Sequence, residues 1–203
     1  MITLNKELQN SISPSQALDL LKKGNLRFLE KKQISRDLNE QVSITGAGQF
    51  PFAVALSCID SRVPIELVFD QGIGDIFSTR VAGNIINEDV LGSIEYSCKA
   101  AGSKLVLVLG HTKCGAVTAA CQGVELGNIT ALLSKVKPAI KTINPDGKEF
   151  TPELIEDVSV QNVKDSIERI KKESPILAEM DNNNEIEIVG AIYDVHSGKV
   201  SFL

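Results

Sequence analysis

The chain has 203 residues, of which 43% are hydrophobic and 23% charged, with a net charge of −5. That length suits one large α/β domain with a substantial core and is short for two. The acidic balance excludes a basic nucleic-acid-binding face, and no apolar run approaches the roughly 20 residues of a membrane helix. The N-terminus, MITLNKELQNSISP, lacks the apolar core of a signal peptide. The four cysteines therefore fit metal ligands or free thiols better than a disulfide framework, and a reducing cytoplasm is the expected compartment.

In chain order, SPSQALDLLKKGNLRFLEKK predicts a helix: Ser13 as N-cap, Pro14 in the first turn, Gln16 closing a capping box, and Leu18, Leu21 and Phe28 on one stripe. Residues 33–48, polar with Gly46 and Gly48, read as a loop. FAVALSC (52–58) is a continuous apolar run that suits a strand buried on both faces. PIELVFD (64–70) predicts a short helix, DIFSTRVAG (75–83) a strand, and residues 87–102 a helix ending at Gly102. KLVLVLGH (104–111) is the clearest buried strand. Helices are expected over about 115–121, 130–141 and 151–172, the last with Val160, Val163, Ile167 and Ile170 on one face. EIEIVGAIYDV (185–195) gives a last long strand, with GKVSFL returning beside it. Such alternation predicts an α/β fold: a mostly parallel central sheet of about four strands plus an edge strand, flanked by helices. No linker is evident, so residues 1–203 read as a single domain, with an N-terminal helical arm over 1–34 and an α/β core over 50–203.

Chemistry concentrates in CIDSR (58–62) and GHTKCG (110–115), each at the carboxyl end of a predicted buried strand. Sites in open α/β sheets are built at such ends. If the two strands are neighbours, Cys58, His111 and Cys114 converge on one spot, and two thiolates with an imidazole suit Zn²⁺. Three protein ligands leave the fourth tetrahedral position open, as in catalytic zinc sites. Cys98 and Cys121 fall on apolar helical stripes and read as core, while His196 sits in a surface turn. Arg169, Lys171 and Lys172 are flanked by Glu168 and Glu173 and read as a solvated helix face. The GIG at 72–74 lacks the third glycine and the preceding strand of a nucleotide loop.

CIDSR followed some fifty residues later by GHTKCG resembles the paired motifs of the β-class carbonic anhydrases. The resemblance extends through RVAGN (80–84), SIEYS (93–97) and YDVHSGKV (193–200), and covers roughly residues 15–203. It implies a zinc lyase that interconverts CO₂ and bicarbonate, with one zinc per chain on Cys58, His111 and Cys114. Asp60 and Arg62 would form the catalytic dyad, and Asp60 can also serve as a fourth ligand in a closed state of relatives at low pH. Two departures, Ser57 and Ala82, bear on pocket shape and not on the metal.

One branch of that family places a bicarbonate-regulating tryptophan three residues before the first zinc cysteine. Ala55 stands there, and the chain has no Trp. The other, open branch matches at Gln49, Phe77 and Tyr96, which would line a substrate pocket across a dimer interface, with Gly115 beside it. The implied assembly is a homodimer, or a tetramer made of two such dimers, with helix 15–30 packed across the partner. Hydrolysis of carbonyl sulfide or carbon disulfide at the same zinc, and a non-catalytic zinc-binding interaction module, are the alternative functions. The presence of both Asp60 and Arg62 disfavours the module.

Overall fold

The computed structural model describes residues 3–203. Its sheet has the order β2-β1-β3-β4-β5. β1 (Ala53–Ser57), β2 (Ile76–Arg80), β3 (Leu105–His111) and β4 (Glu187–Tyr193) run parallel, and β5 (Val200–Phe202) closes one edge antiparallel to β4. Four parallel strands and an antiparallel edge strand match the expectation from the sequence. β1 and β3 are buried at every position, as apolar runs without alternation require when helices cover both faces.

The pleat divides these strands between two cores. Ala53, Ala55, Leu105, Leu107 and Leu109 face α2 (Pro14–Leu29) and α4 (Ile65–Val68), packing with Ala17, Leu21, Ile65 and Val68. Val54, Leu56, Val106 and Val108 face α5 (Glu88–Glu95), α9 (Pro152–Glu173) and α10 (Pro175–Asn182). A third cluster, containing Cys58, Cys114, Val117, Val136 and Val158, joins the carboxyl ends of β1 and β3 to α6 (Gly115–Cys121) and α8 (Lys137–Ile143).

α2 begins with the expected Ser13–Gln16 capping box. Its buried face (Ala17, Leu21, Gly24, Asn25) lies on its own chain, and Leu26 and Leu29 on the same helix stay exposed. The Asn25 amide fixes it by donating to the carbonyls of Val68 and Gly198 and accepting from the Val200 amide. The preceding α1 (Lys6–Ser11) is pinned by Gln9, whose side chain donates to the carbonyls of Pro51 and Ala101.

Three further differences have local causes. Residues 33–48 are not all loop: α3 (Leu38–Thr45) starts at an Asp37 cap and buries only Gln41, so it shows no apolar stripe. The helix expected over 130–141 divides into α7 (Gly127–Leu133), a 3₁₀ turn (Ser134–Val136) and α8, because Pro138 has no N–H to continue the ladder. In α9 the deeply buried residues are Val158, Ser159, Asn162, Val163, Ser166 and Ile170, and Val160 and Ile167 are half-buried. The polar members belong there because Asn162 donates to the Gly83 carbonyl at 2.9 Å. Gly110 and Gly190 leave room on the sheet for Val163.

Candidate metal centre

β1 and β3 are adjacent and in register, Ser57 opposite Leu109, so the residues that follow them emerge side by side. Cys58 continues directly from β1, His111 is the last residue of β3, and Cys114 caps the start of α6. All three are buried, and Cys58 Sγ, Cys114 Sγ and a ring nitrogen of His111 lie within 4.8 Å of one another. The two sulfurs are 4.0 Å apart.

The imidazole is oriented for ligation. His111 Nδ1 lies 2.9 Å from the carbonyl oxygen of Thr112; a carbonyl only accepts, so Nδ1 carries the proton. Nε2 is left bare and buried without a partner. An orphaned nitrogen beside two buried sulfurs is a donor set that could hold a zinc ion.

The electrostatics agree. The Cys114 thiol beside it pulls the Cys58 pKa down to about 4 against the opposing effect of burial. Cys114 is pushed up by Cys58 and by burial. Burial opposes a charge on His111, and the Cys58 thiolate outweighs it and raises that pKa. The pair thus favours a thiolate at Cys58 and a thiol at Cys114, and a cation held between them would displace the remaining proton. Cys58 Sγ also accepts from the Gly83 amide at 3.4 Å.

Asp60 and Arg62 stand beside this donor set. Arg62 Nε and Nη2 donate to the two carboxylate oxygens at 2.9 and 2.7 Å, and its backbone amide adds a third bond at 2.9 Å. This pairing with Arg62 lowers the Asp60 pKa to about 2, against a smaller effect of burial. Asp60 Oδ2 lies 3.9 Å from His111 Nε2. Its carboxylate is engaged by Arg62 and stands outside the three-residue donor group.

The turn itself is held from β2. Arg80 Nε donates to the Cys58 carbonyl at 3.0 Å and Nη2 to the Asp60 carbonyl at 2.6 Å. Nothing in the spacing of the motifs marks Arg80 or Asn162 for these tasks. The remaining candidates lie apart from the donors. Phe77 and Tyr96 meet edge-to-face, centroids 6.2 Å apart, in a groove they share with Glu88, Asp89 and Ser93. Gln49 lines a separate depression with Thr45, Ile73 and Gly74. Gly115 is exposed at the first turn of α6. Cys98 is buried in the core, Cys121 is half-buried, and His196 is exposed, as expected.

Residues 53–200 match the family model described as carbonic anhydrase. The carbonic anhydrase of Mycolicibacterium smegmatis is 33% identical over 193 residues, spanning 93% of this chain and 92% of that one. A β-carbonic anhydrase of Aspergillus fumigatus superposes with a TM-score of 0.75 at 25% identity, covering 93% of this chain and 89% of the other. A tetrameric β-carbonic anhydrase of Sordaria macrospora shares the fold, with a TM-score of 0.74 at 22% identity over 81% and 86% of the two chains. Together with the paired strand-end motifs, these likenesses place the chain in the carbonic anhydrase family, in its β class.

Proposed function

We propose that this chain catalyses the reversible hydration of CO₂ to bicarbonate and a proton, with one Zn²⁺ held by Cys58, His111 and Cys114. The observation that carries the reading is the buried, partnerless Nε2 of His111, grouped with two thiol sulfurs within 4.8 Å and facing an ion-paired carboxylate. Zinc, when bound, supplies a Lewis acid that lowers the pKa of a water molecule from about 15.7 towards about 7.

The protein's own residues supply orientation. Arg62 keeps Asp60 ionised, and an ionised carboxylate only accepts hydrogen bonds. A water or hydroxide between Asp60 and the donor set must therefore turn its O–H to Oδ2 and leave a lone pair for the carbon of CO₂. Arg80 fixes the carbonyls on either side of Ile59 and so the distance from ligand to carboxylate.

Gln49, Phe77, Tyr96 and Gly115 are assigned to the substrate pocket, the first three supplied across the interface of a homodimer. Their placement within one chain supports this: Gln49 and the Phe77–Tyr96 pair line surface depressions without a donor residue. Tyr96 is 60% exposed. Among the described residues no helix is long and apolar enough to cross a membrane, and all four cysteines are free. These features fit a reducing, cytoplasmic setting.

The test is metal analysis beside stopped-flow CO₂ hydration. Wild type should carry one zinc per chain and be active, and His111→Asn and Cys114→Ser should lose most of the zinc. Cys98→Ser and Cys121→Ser should keep it. A zinc-loaded protein inert to CO₂ but active on carbonyl sulfide or carbon disulfide would replace this substrate assignment.

A further inference from the structure

Lys113 stands between the second and third donors, and its φ of 54° lies in the left-handed region that a residue with a Cβ disfavours. Something must hold it there. The Lys113 amide donates to Glu156 Oε1 at 2.8 Å, and the Lys113 carbonyl accepts from Arg62 Nη2 at 3.2 Å. The amide belongs to the peptide unit before Lys113 Cα, and the carbonyl to the unit after it. Two charged side chains therefore fix the two peptide planes that define this residue's φ and ψ.

Glu156 is well placed for the task. It lies in the second turn of α9, a helix capped by Thr151, seated on the sheet through Val163 and packed in the cluster around Cys58 and Cys114 through Val158. Among the described residues its carboxylate enters no ion pair, so the Lys113 amide is its recorded partner. The preceding residue, Thr112, is tied separately to the far end of β4: its amide donates to the Tyr193 carbonyl at 2.9 Å, and its hydroxyl accepts from the Val195 amide at 3.1 Å. Only the left-handed step at Lys113 depends on Glu156 and Arg62.

We infer that Glu156 is a positioning residue of the zinc site. It holds Lys113 in the conformation that carries Cys114 Sγ back to Cys58 and His111. The same conformation turns the Lys113 carbonyl to Arg62, so Glu156 also steadies the guanidinium that orients Asp60. The role rests on the zinc reading above. Glu156 touches neither donor sulfur nor reacting atoms, and acts through one backbone unit.

Glu156→Ala and Glu156→Gln distinguish this role from general support of α9. In zinc-free protein, Glu156→Ala should speed hydrogen exchange at Lys113 and Cys114 and leave Thr112 and β3 unchanged. In loaded protein it should transfer zinc to a chromogenic chelator about tenfold faster, the scale of a lost outer-shell partner. It should also lower kcat with KM within twofold. Glu156→Gln keeps an acceptor oxygen and should recover most of both effects. Unchanged exchange at Lys113 and Cys114 would overturn the inference, whatever the activity. So would a Glu156→Ala effect seen only as a lower melting temperature and not rescued by glutamine. A wild type that binds no zinc would instead refute the function proposed above, and the exchange experiment would still judge the clamp.

Discussion

Three N–H groups of Arg62 converge on the Asp60 carboxylate, which makes this side chain the most tightly specified polar group beside the donors. Asp60→Asn keeps the shape and removes the charge, so an amide N–H can face the position where an acceptor is needed. Zinc content should stay at one per chain while the CO₂-hydration rate falls by about 10²-fold or more, the scale of removing one preorganised electrostatic partner. Stopped-flow measurement over pH 7–9, with metal analysis of the same samples, decides it; a wild-type rate would remove Asp60 from the mechanism. Cys58, Asp60, Arg62, His111 and Cys114 were legible because short-range spacing carries them: a ligand at a strand end and its partners within a turn. Glu156 and Arg80 were not. Each is an exposed or half-exposed charge whose partner is a backbone group distant in sequence, and no local pattern tells such a charge from a solvated one.

Among elements, α2 shows how packing overrides propensity. Gly24 sits within the helix, where alanine would be favoured by about 1 kcal/mol. A Cβ there would lie 1.8 Å from the Phe69 carbonyl oxygen, which is backbone at the end of α4 and cannot step aside as a side chain would. Overpacking of this kind costs about 1–3 kcal/mol or more, so the clash outweighs the propensity. Gly24→Ala should lower the melting temperature by several degrees in a calorimetric scan, at about 2–4 °C per kcal/mol for a chain of this size. An unchanged or higher value would mean that α2 slides freely on α4. The long strands could be read from the sequence because apolar burial dominates them, and α9 because Val163 and Ile170 mark its inner face although Ser159, Asn162 and Ser166 share it. By contrast α3 and α10 were not read, and α1 only as part of the helical arm over 1–34. α1 and α3 each bury a single glutamine, Gln9 and Gln41, and α10 is a short segment after a Ser174–Pro175 start. Hydrogen bonds fix the first two, and polar periodicity leaves no mark.

For the whole molecule, Asp70 is the main polar tie between the N-terminal segment and the core. Its buried carboxylate takes Arg27 from α2, Arg36 from the segment before α3, and the Ile34 amide. Burial opposes ionisation, and the two guanidinium groups outweigh it and leave the pKa below its ordinary value. A depressed folded pKa gives stability that is whole above the unfolded value of about 3.9 and is lost as pH falls through the folded one. Urea midpoints of zinc-free protein should therefore drop below about pH 4. Asp70→Asn should be weaker at pH 7 and show a shallower acid decline; parallel curves for the two proteins would assign the decline to other carboxylates. One consequence of strand order reaches beyond the folded state. β1 and β3 are neighbours in space and both precede α6, whereas β4, which covers the other edge of β3, begins only at Glu187. A ribosome makes the chain from its amino end, so all three candidate metal donors are outside the exit tunnel while β4 and β5 are still being synthesised. The two thiols then meet the cell's metal and oxidant pools before the completed sheet can shelter them, and zinc that arrives early would itself join β1 to β3.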